Sequence, residues 1–139
     1  MGHDAINLCD SLISYGDDKH ATAVPRALLQ LGASGGSCFL GAVDVSTDDA
    51  AHADRWERHP EGDEILCVLE GRLLAAIDGE GATEEAVIER GQALIVPRGR
   101  WHRLRVLEAG RLLFLTPTAG TELRPHVSAA AGAENALAA

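Results

Sequence analysis

Four residues in the middle of the chain have the types and the spacing needed to bind a metal ion. Glu57, His59 and Glu64 lie close together in sequence, and His102 follows a Pro-x-Gly turn. Two imidazoles and two carboxylates can bind a divalent transition metal. Glu57 and His59 are two residues apart, so on a β-strand both side chains point to the same face. The Pro-x-Gly turn can bring the distant strand of His102 alongside them.

The first of two motifs around these residues resembles the cupin motif G-x5-H-x-H-x3,4-E-x6-G. His59, Glu64 and Gly71 match its second His, its Glu and its closing Gly. Glu57 stands where the family has its first His, and Ala51 stands where it has its opening Gly. The Glu57 substitution bears on the identity of the metal.

The second motif resembles the cupin motif G-x5-P-x-G-x2-H-x3-N. Gly91, Pro97, Gly99 and His102 match it with the right spacing, and Val106 replaces its final Asn. The resemblance implies an all-β fold, a double-stranded β-helix that forms a small jelly-roll barrel. It also implies a homodimer, to which the N-terminal segment through Leu31 would contribute.

Glu57 has two roles open to it besides that of a solvated acid paired with Arg55 or Arg58. As a fourth metal ligand, it would nearly neutralise a divalent ion together with Glu64. Oxygen ligands shift the preference toward Mn²⁺ or Fe²⁺, and Zn²⁺ stays open. If Glu57 is not a ligand, it is a candidate catalytic base.

The motifs predict a metal-binding protein that acts as an enzyme on a small polar molecule chelating the metal. Two reactions stay open: an Fe²⁺ dioxygenase, which would be an oxidoreductase, and an isomerase or lyase that polarises a carbonyl. The alternative is a non-catalytic module that binds or senses a metal or a metabolite. A barrel with a degenerate, metal-free site is a weaker alternative.

Length and composition predict one domain over residues 1–127, followed by an Ala-rich, disordered tail over residues 128–139. The net charge of −9 argues against nucleic acid or an anionic membrane as a partner. The three cysteines form no C-x-x-C pair, which favours reduced thiols in a cytoplasm. Neither a signal peptide nor an apolar run of about 20 residues is visible.

Short apolar segments separated by turn signals predict at least eight strands. Residues 1–14 are predicted to form a short amphipathic helix. Turns are expected at Glu70-Gly71 and at Ala109-Gly110. Strand parity also predicts which side chains flank the metal: Leu66, Val68 and Leu104 would line the pocket, whereas Trp56, Trp101 and Arg103 would lie on the outer face.

Overall fold

The computed structural model describes residues 3–27 and 38–127. Within these ranges the chain forms nine strands joined into one sheet. They are β1 (Ser11–Tyr15), β2 (Ala21–Pro25), β3 (Cys38–Val45), β4 (Arg55–Arg58), β5 (Glu64–Asp78), β6 (Thr83–Glu89), β7 (Ala93–Val96), β8 (His102–Pro117) and β9 (Glu122–Pro125). The prediction of an all-β protein is confirmed for this part of the chain.

The predicted N-terminal helix is wrong. Residues 3–7 are irregular, residues 8–10 form a turn, and Ser11–Tyr15 is strand β1. This strand pairs with β2 along its whole length and with β3 from Ile13 to Tyr15. Leu12 is fully buried while Ile6 is 40% exposed, so the residues that would form a helical stripe do not share one core. Pairing with two neighbouring strands prevails over the weak helical periodicity.

The turns predicted at Glu70-Gly71 and at Ala109-Gly110 are also wrong, because each pair lies inside a long strand. β5 and β8 run antiparallel side by side, with register shifts between Val68 and Leu73. Before the shifts the buried residues of β5 are even-numbered, and beyond them Leu73 and Ala75 are buried. A β-bulge has this effect, because an extra residue changes which side chains face inward.

The strand order is β2-β1-β3-β8-β4-β9, and β5 joins β8 to β6 and β7. The sheet is not closed, which corrects the expectation of a hydrogen-bonded barrel. β4 pairs with β8 only at Glu57 and His102. Because that ladder is so short, the sheet stays open beside the residues that carry the candidate chemistry.

One face of the curved sheet holds the core. Its largest fully buried side chains are Leu12, Val45, Leu66, Val68, Leu73 and Val96. They come from β1, β3, β5 and β7, which are separated in sequence, so the core assembles only when these strands are joined in the sheet. The predicted tail over residues 128–139 lies outside the described residues. Among the residues that are described, no helix is long and apolar enough to cross a membrane.

Candidate metal centre

The four predicted ligands come together at one end of the core face. Glu57 lies in β4, His59 follows that strand directly, Glu64 opens β5 and His102 opens β8. Glu57 and His102 are direct partners across the β4–β8 ladder. His59, Glu64 and His102 are buried, and Glu57 is half-buried. Strand ends therefore position every member of the group.

The donor atoms of this group are close enough to share one ion. One ligand atom each from Glu57, His59 and His102 lies within 4.8 Å of the others. Glu64 Oε1 lies 2.8 Å from His102 Nε2, and Glu64 Oε2 lies 3.3 Å from His59 Nε2. The imidazole ring centroids are 5.3 Å apart. The structure thus places Glu64 between the two histidines, as the sequence predicts, with Glu57 beside them.

The tautomer of His59 follows from its hydrogen bonds. Its Nδ1 lies 2.9 Å from Thr121 Oγ1, and that hydroxyl donates its own proton to Thr118 O at 2.7 Å. Because the hydroxyl proton is already used, Nδ1 must donate and carries the proton. In the neutral ring Nε2 then presents a bare lone pair. This buried atom has no hydrogen-bond partner among the described residues.

His102 is held in a similar way, with Nδ1 3.3 Å from the carbonyl oxygen of Arg100. A carbonyl only accepts, so Nδ1 carries a proton here too. Its Nε2 faces Glu64 at 2.8 Å, which in the metal-free protein is the distance of a charge-assisted hydrogen bond. Burial lowers the pKa of His102, but the hydrogen bond and the charge of Glu64 outweigh it, and the net pKa is raised.

Glu64 is the electrostatic centre of the group. Burial raises the pKa of Glu64, but the hydrogen bond from His102, the interaction with His59 in its protonated form and the charges of both rings lower it to about 2. Thr116 donates a short hydrogen bond of 2.5 Å to Oε2. The carboxylate is therefore ionised and fixed in orientation at neutral pH.

This arrangement fits a divalent metal ion. A lone pair on His59 buried 3.3 Å from an ionised carboxylate lacks a positive partner. A metal would supply that partner and would replace the Nε2 proton of His102. Hydrogen bonds at both Nδ1 atoms are the supporting contacts that metal-binding histidines usually have.

The group forms part of the wall of a cavity of about 620 Å³. Leu66 and Leu104 line the cavity, as predicted, whereas Val68 is buried in the core and is not among the lining residues. Arg103 lines the cavity, contrary to the prediction. The two tryptophans do not line it. They pack outside against arginines, with Arg124 4.7 Å from the ring of Trp101 and 5.5 Å from that of Trp56.

The family model described as Cupin domain matches residues 43–117, more than half of the chain. The chain belongs to the cupin family. The matched range contains both motifs, all four candidate ligands and the β5–β8 pair that carries the core. Family membership, which the two motifs predict, is therefore confirmed.

Two curated relatives resemble this cupin over part of their length. The tetracenomycin polyketide synthase protein TcmJ of Streptomyces glaucescens is 35% identical over 82 residues, which are 57% of this chain and 49% of the relative. The uncharacterized protein YdbB of Bacillus subtilis is 40% identical over 50 residues, 36% of this chain and 42% of the relative. The matches therefore span about half of these relatives or less.

Several solved structures are similar to part of this cupin. An oxalate oxidase is 23% identical with a TM-score of 0.48, covering 60% of this chain and 44% of its own. Hydroxypropylphosphonic acid epoxidase from S. wedmorenis is 24% identical with a TM-score of 0.47, and the match covers 57% of this chain and 42% of the epoxidase chain. A cupin-2 domain protein from Shewanella frigidimarina is 19% identical with a TM-score of 0.45, and the match covers 68% of this chain and 76% of the Shewanella chain.

Two threonines support this cupin's site and are missed by the sequence analysis. Thr116 occupies an inward position of β8, in step with Leu112 and Phe114. A hydroxyl at an inward position of an otherwise apolar strand is a signal that could have identified it. Thr121 lies in the loop after β8, and no local pattern marks it as the partner of His59.

Replacing Thr121 with Val should weaken divalent-metal binding about 10- to 100-fold, because the Nδ1–H of His59 loses its acceptor. Thr121→Ser keeps the hydroxyl and should restore most of the affinity. The dissociation constant for Mn²⁺, obtained from the paramagnetic resonance signal of the free ion, distinguishes the two variants. Equal constants for the Val and Ser variants would show that Thr121 does not position the imidazole.

The metal-free protein should be most stable between about pH 4.5 and 6.5. Because the pKa of Glu64 is lowered from 4.5 to about 2, its contribution is present above pH 4.5 and is lost as the pH falls toward 2. Because the pKa of His102 is raised from 6.5, its contribution is present below pH 6.5 and is lost as the pH rises through the raised value. The shift of Glu64 corresponds to roughly 3 kcal/mol. It includes the same Glu64–His102 interaction that raises the pKa of His102.

Urea unfolding in the presence of a chelator, repeated at pH values below, within and above this window, measures the effect. Glu64→Gln is the matched variant, because it keeps the size of the side chain and removes the charge. The difference in free energy of unfolding between the two proteins should be largest within this window and should shrink as the pH falls below about 4.5 or rises above about 6.5. A difference that is constant with pH would contradict the assigned ion pair.

Proposed function

We propose that this protein is a divalent-metal enzyme whose substrate has an apolar body and a pair of chelating oxygens. One observation carries the proposal. The Nε2 atoms of two buried histidines, each oriented by a hydrogen bond at Nδ1, converge with two carboxylates on the wall of a substrate-sized cavity. The finer fold assignment, a cupin double-stranded β-helix, and a cytoplasmic location stay predictions.

The cavity favours a larger and less polar substrate than the small polar molecule expected from sequence. Its volume of about 620 Å³ falls in the range of about 300–1,000 Å³ typical of pockets for drug-sized ligands. Apolar side chains supply much of its wall: Val43, Val45, Leu66, Leu104, Leu112, Phe114 and Leu123. Arg26, Arg55 and Arg103 also line the cavity. The apolar part of the wall, beside the metal-binding group, would bind a hydrocarbon body and orient it through its oxygens.

The name of one relative agrees with such a substrate. TcmJ is named as a tetracenomycin polyketide synthase protein. Polyketide chains carry ketone oxygens on alternate carbons of a hydrocarbon backbone, so neighbouring oxygens can chelate one ion. We therefore propose a polyketide-like 1,3-dicarbonyl compound, or a hydroxyaryl ketone derived from one, as the substrate class.

The residues that would hold the metal are His59, Glu64 and His102, with Glu57 as a fourth ligand or as a base. Two carboxylates would nearly neutralise a divalent ion and favour Mn²⁺ or Fe²⁺ over Zn²⁺. When bound, the ion would polarise the substrate's carbonyl oxygens. The chain's own residues would then orient the apolar body and move the proton.

Glu57 is the residue best placed to move that proton. Glu64 is engaged by Thr116 and both histidines, whereas Glu57 lines the cavity and has no hydrogen bond or ion pair among the described residues. We propose that its carboxylate takes a proton from the carbon between two carbonyls and returns it elsewhere on the substrate. This is isomerase or lyase chemistry, in which no electrons are lost or gained.

A dioxygenase is the second candidate, and one observation favours it. Glu57, His59 and His102 are two histidines and one carboxylate with mutually close donor atoms. That composition is typical of non-haem Fe²⁺ oxygenases. In this case Glu57 would be a ligand and could not serve as the base.

The test uses benzoylacetone, an apolar 1,3-diketone, with acetylacetone as the same chelating pair without the ring. Protein loaded with Mn²⁺ or Fe²⁺ should bind benzoylacetone at least about tenfold more tightly than acetylacetone, because the buried phenyl ring adds apolar contact. His59→Ala, His102→Ala protein should lose this preference. Equal affinity for both diketones, or binding without metal, would contradict the proposed substrate class.

The reaction products then distinguish the isomerase or lyase from the dioxygenase and from a non-catalytic module. Isomerisation, or cleavage that consumes one water and no O₂ to give a carboxylic acid and a ketone, supports proton transfer by Glu57 if it is lost in Glu57→Gln. Cleavage with one O₂ consumed per diketone supports the dioxygenase. Metal-dependent binding that returns every diketone tested unchanged would overturn the enzyme proposal in favour of the non-catalytic binding or sensing module.

A further inference from the structure

The cavity that holds the metal-binding group also carries an excess of positive charge. Among the described residues that line it, three are arginines, Arg26, Arg55 and Arg103, and two are acids, Glu57 and Glu64. A divalent ion would nearly cancel the charge of the two acids, so the charge of the arginines would remain. The whole chain has 12 Lys and Arg residues against 21 Asp and Glu residues, so the cavity has the opposite sign to the molecule.

The positive charge of the cavity is not balanced by ion pairs. Within residues 3–27 and 38–127, none of the three lining arginines pairs with a carboxylate. The arginines that do form ion pairs in this part of the chain are Arg58, Arg98, Arg105, Arg111 and Arg124. Since a partly buried charge without a counter-ion is costly, an unpaired cation on a cavity wall is a candidate for binding an anionic ligand.

Arg26 has a structural role that accounts for its position. Its Nη1 donates to the carbonyl oxygens of Leu8, Cys9 and Ala42 at 3.2, 3.4 and 3.0 Å. Its guanidinium group lies 5.9 Å from the centre of the Phe114 ring. These contacts tie the turn before β1 to β3, so Arg26 is already engaged in holding the fold.

The other two arginines lie together at the start of β4. Arg103 Nη1 donates to the carbonyl oxygen of Ala53 at 2.9 Å, which places this guanidinium group beside the first residues of the strand. Arg55, the first residue of β4, is half-buried, and its side chain has no hydrogen bond or ion pair among the described residues. All five N–H donors of Arg55 are therefore available to a ligand, with the charge of Arg103 nearby.

The position of Arg55 relative to the metal-binding group follows from strand geometry. Arg55 and Glu57 are two residues apart in β4, so they share a face and their Cα atoms lie about 6.6 Å apart. His52, just before β4, lines the cavity and is exposed, so the cavity meets solvent at this end. An anionic group bound at Arg55 would keep part of its hydration, which lowers the cost of removing it from water.

We propose that the substrate carries a carboxylate, which Arg55 binds while the chelating oxygens of the substrate bind the metal. The planar fork of an arginine matches the two oxygens of a carboxylate through parallel hydrogen bonds. This inference rests on the proposed function and adds a third point of recognition to it. The metal-binding group, the apolar wall and Arg55 would together fix the orientation of one molecule.

The experiment compares benzoylacetone with 4-carboxybenzoylacetone, which has the same diketone and ring and an added carboxylate. Calorimetric titration of the Mn²⁺-loaded protein gives the ratio of their dissociation constants. Wild type should bind the carboxylate compound at least about tenfold more tightly, because a charge-assisted pair of hydrogen bonds is added. Arg55→Gln should bring the ratio to about one, and Arg55→Lys, which keeps the charge without the fork, should give an intermediate ratio.

Arg58→Gln is the matched control. Arg58 lies in the same strand on the opposite face, outside the cavity, where it pairs with Glu122. The variant removes the same charge from β4, so its ratio should stay at the wild-type value. An equal fall of the ratio in the Arg55 and Arg58 variants, or a wild type that binds both diketones equally, would overturn the proposal. Thermal melts identify any variant that fails to fold.

A titration of chelator-treated protein with benzoate separates this inference from the proposed function. Benzoate has no diketone, so its binding should need Arg55 but no metal, and Arg55→Gln should bind it at least about tenfold more weakly. If benzoylacetone binds through the metal but benzoate binds independently of Arg55, the carboxylate site is wrong and the proposed function stands. If neither diketone binds while benzoate still requires Arg55, the carboxylate site stands and the proposed substrate class is wrong.

Discussion

The His59→Ala, His102→Ala protein is expected to bind Mn²⁺ or Co²⁺ more than about a thousandfold more weakly than wild type. Loss of a hydrogen bond to a ligand alone costs about 10- to 100-fold in metal affinity, and here two direct ligands are removed. Glu64 would remain buried without its two cationic or metal-bound partners, so its carboxylate could no longer hold an ion in place. Titration against a competing chelator measures the affinity.

His52→Ala is the matched control for this prediction. His52 lines the same cavity but does not belong to the metal-binding group, so its loss should change the affinity by less than about twofold. His102→Gln, which keeps a polar side chain, serves if the double variant does not fold. Unchanged metal affinity in either ligand variant, or an equal loss in His52→Ala, would contradict the assignment.

Gly71→Ala is expected to destabilise the protein by about 3–5 kcal/mol, whereas Gly91→Ala should cost only about 1–2 kcal/mol. Both glycines have positive φ, +84° and +82°, so the backbone strain of an added Cβ is the same in the two variants. Only at Gly71 would the Cβ meet backbone, at 2.5 Å from Glu108 O and 2.6 Å from Ala109 O. The extra cost comes from forcing β5 and β8 apart at the bulge.

Urea unfolding of the metal-free proteins gives both free energies on one scale. The comparison also separates two reasons why a motif can require glycine. Gly71 and Gly91 are both motif positions, but only Gly71 faces a neighbouring strand. If the two variants lose the same stability, the close approach of β5 and β8 at this point is not part of the native packing.

The clustering of the four candidate ligands could be predicted from sequence because their spacing is local. Glu57 and His59 share a strand parity, and Glu64 and His102 sit at fixed distances in two recognisable motifs. The sequence could not predict which group accepts the hydrogen bond from Nδ1 of each imidazole. Thr121 reaches His59 only because the loop after β8 returns past β4, a contact between residues 62 positions apart.

The two wrong turns show the limit of local patterns. Glu70-Gly71 and Ala109-Gly110 each have the composition of a hairpin turn. In the structure an added Cβ at Gly110 would collide with the backbone of Glu70. These glycines therefore serve the close approach of two strands about 40 residues apart rather than a reversal of the chain, and no short window of sequence contains that information.

The apolar share of the cavity wall could not be predicted from the sequence for the same reason. The motifs display histidines and acids, which suggest a polar ligand. The cavity wall around them is built from single inward positions of several strands, such as Val43, Leu66 and Phe114. Each of these residues looks like ordinary core until the strands are assembled.

X-ray absorption spectroscopy of the protein loaded with one equivalent of Mn²⁺ or Fe²⁺ tests the central claim most directly. We expect a first shell of nitrogen and oxygen only, with outer-shell scattering from two imidazoles, and both imidazoles lost in the His59→Ala, His102→Ala protein. A sulfur ligand from Cys9, Cys38 or Cys67, or a shell made of water without imidazole, would contradict a metal centre built on Glu57, His59, Glu64 and His102.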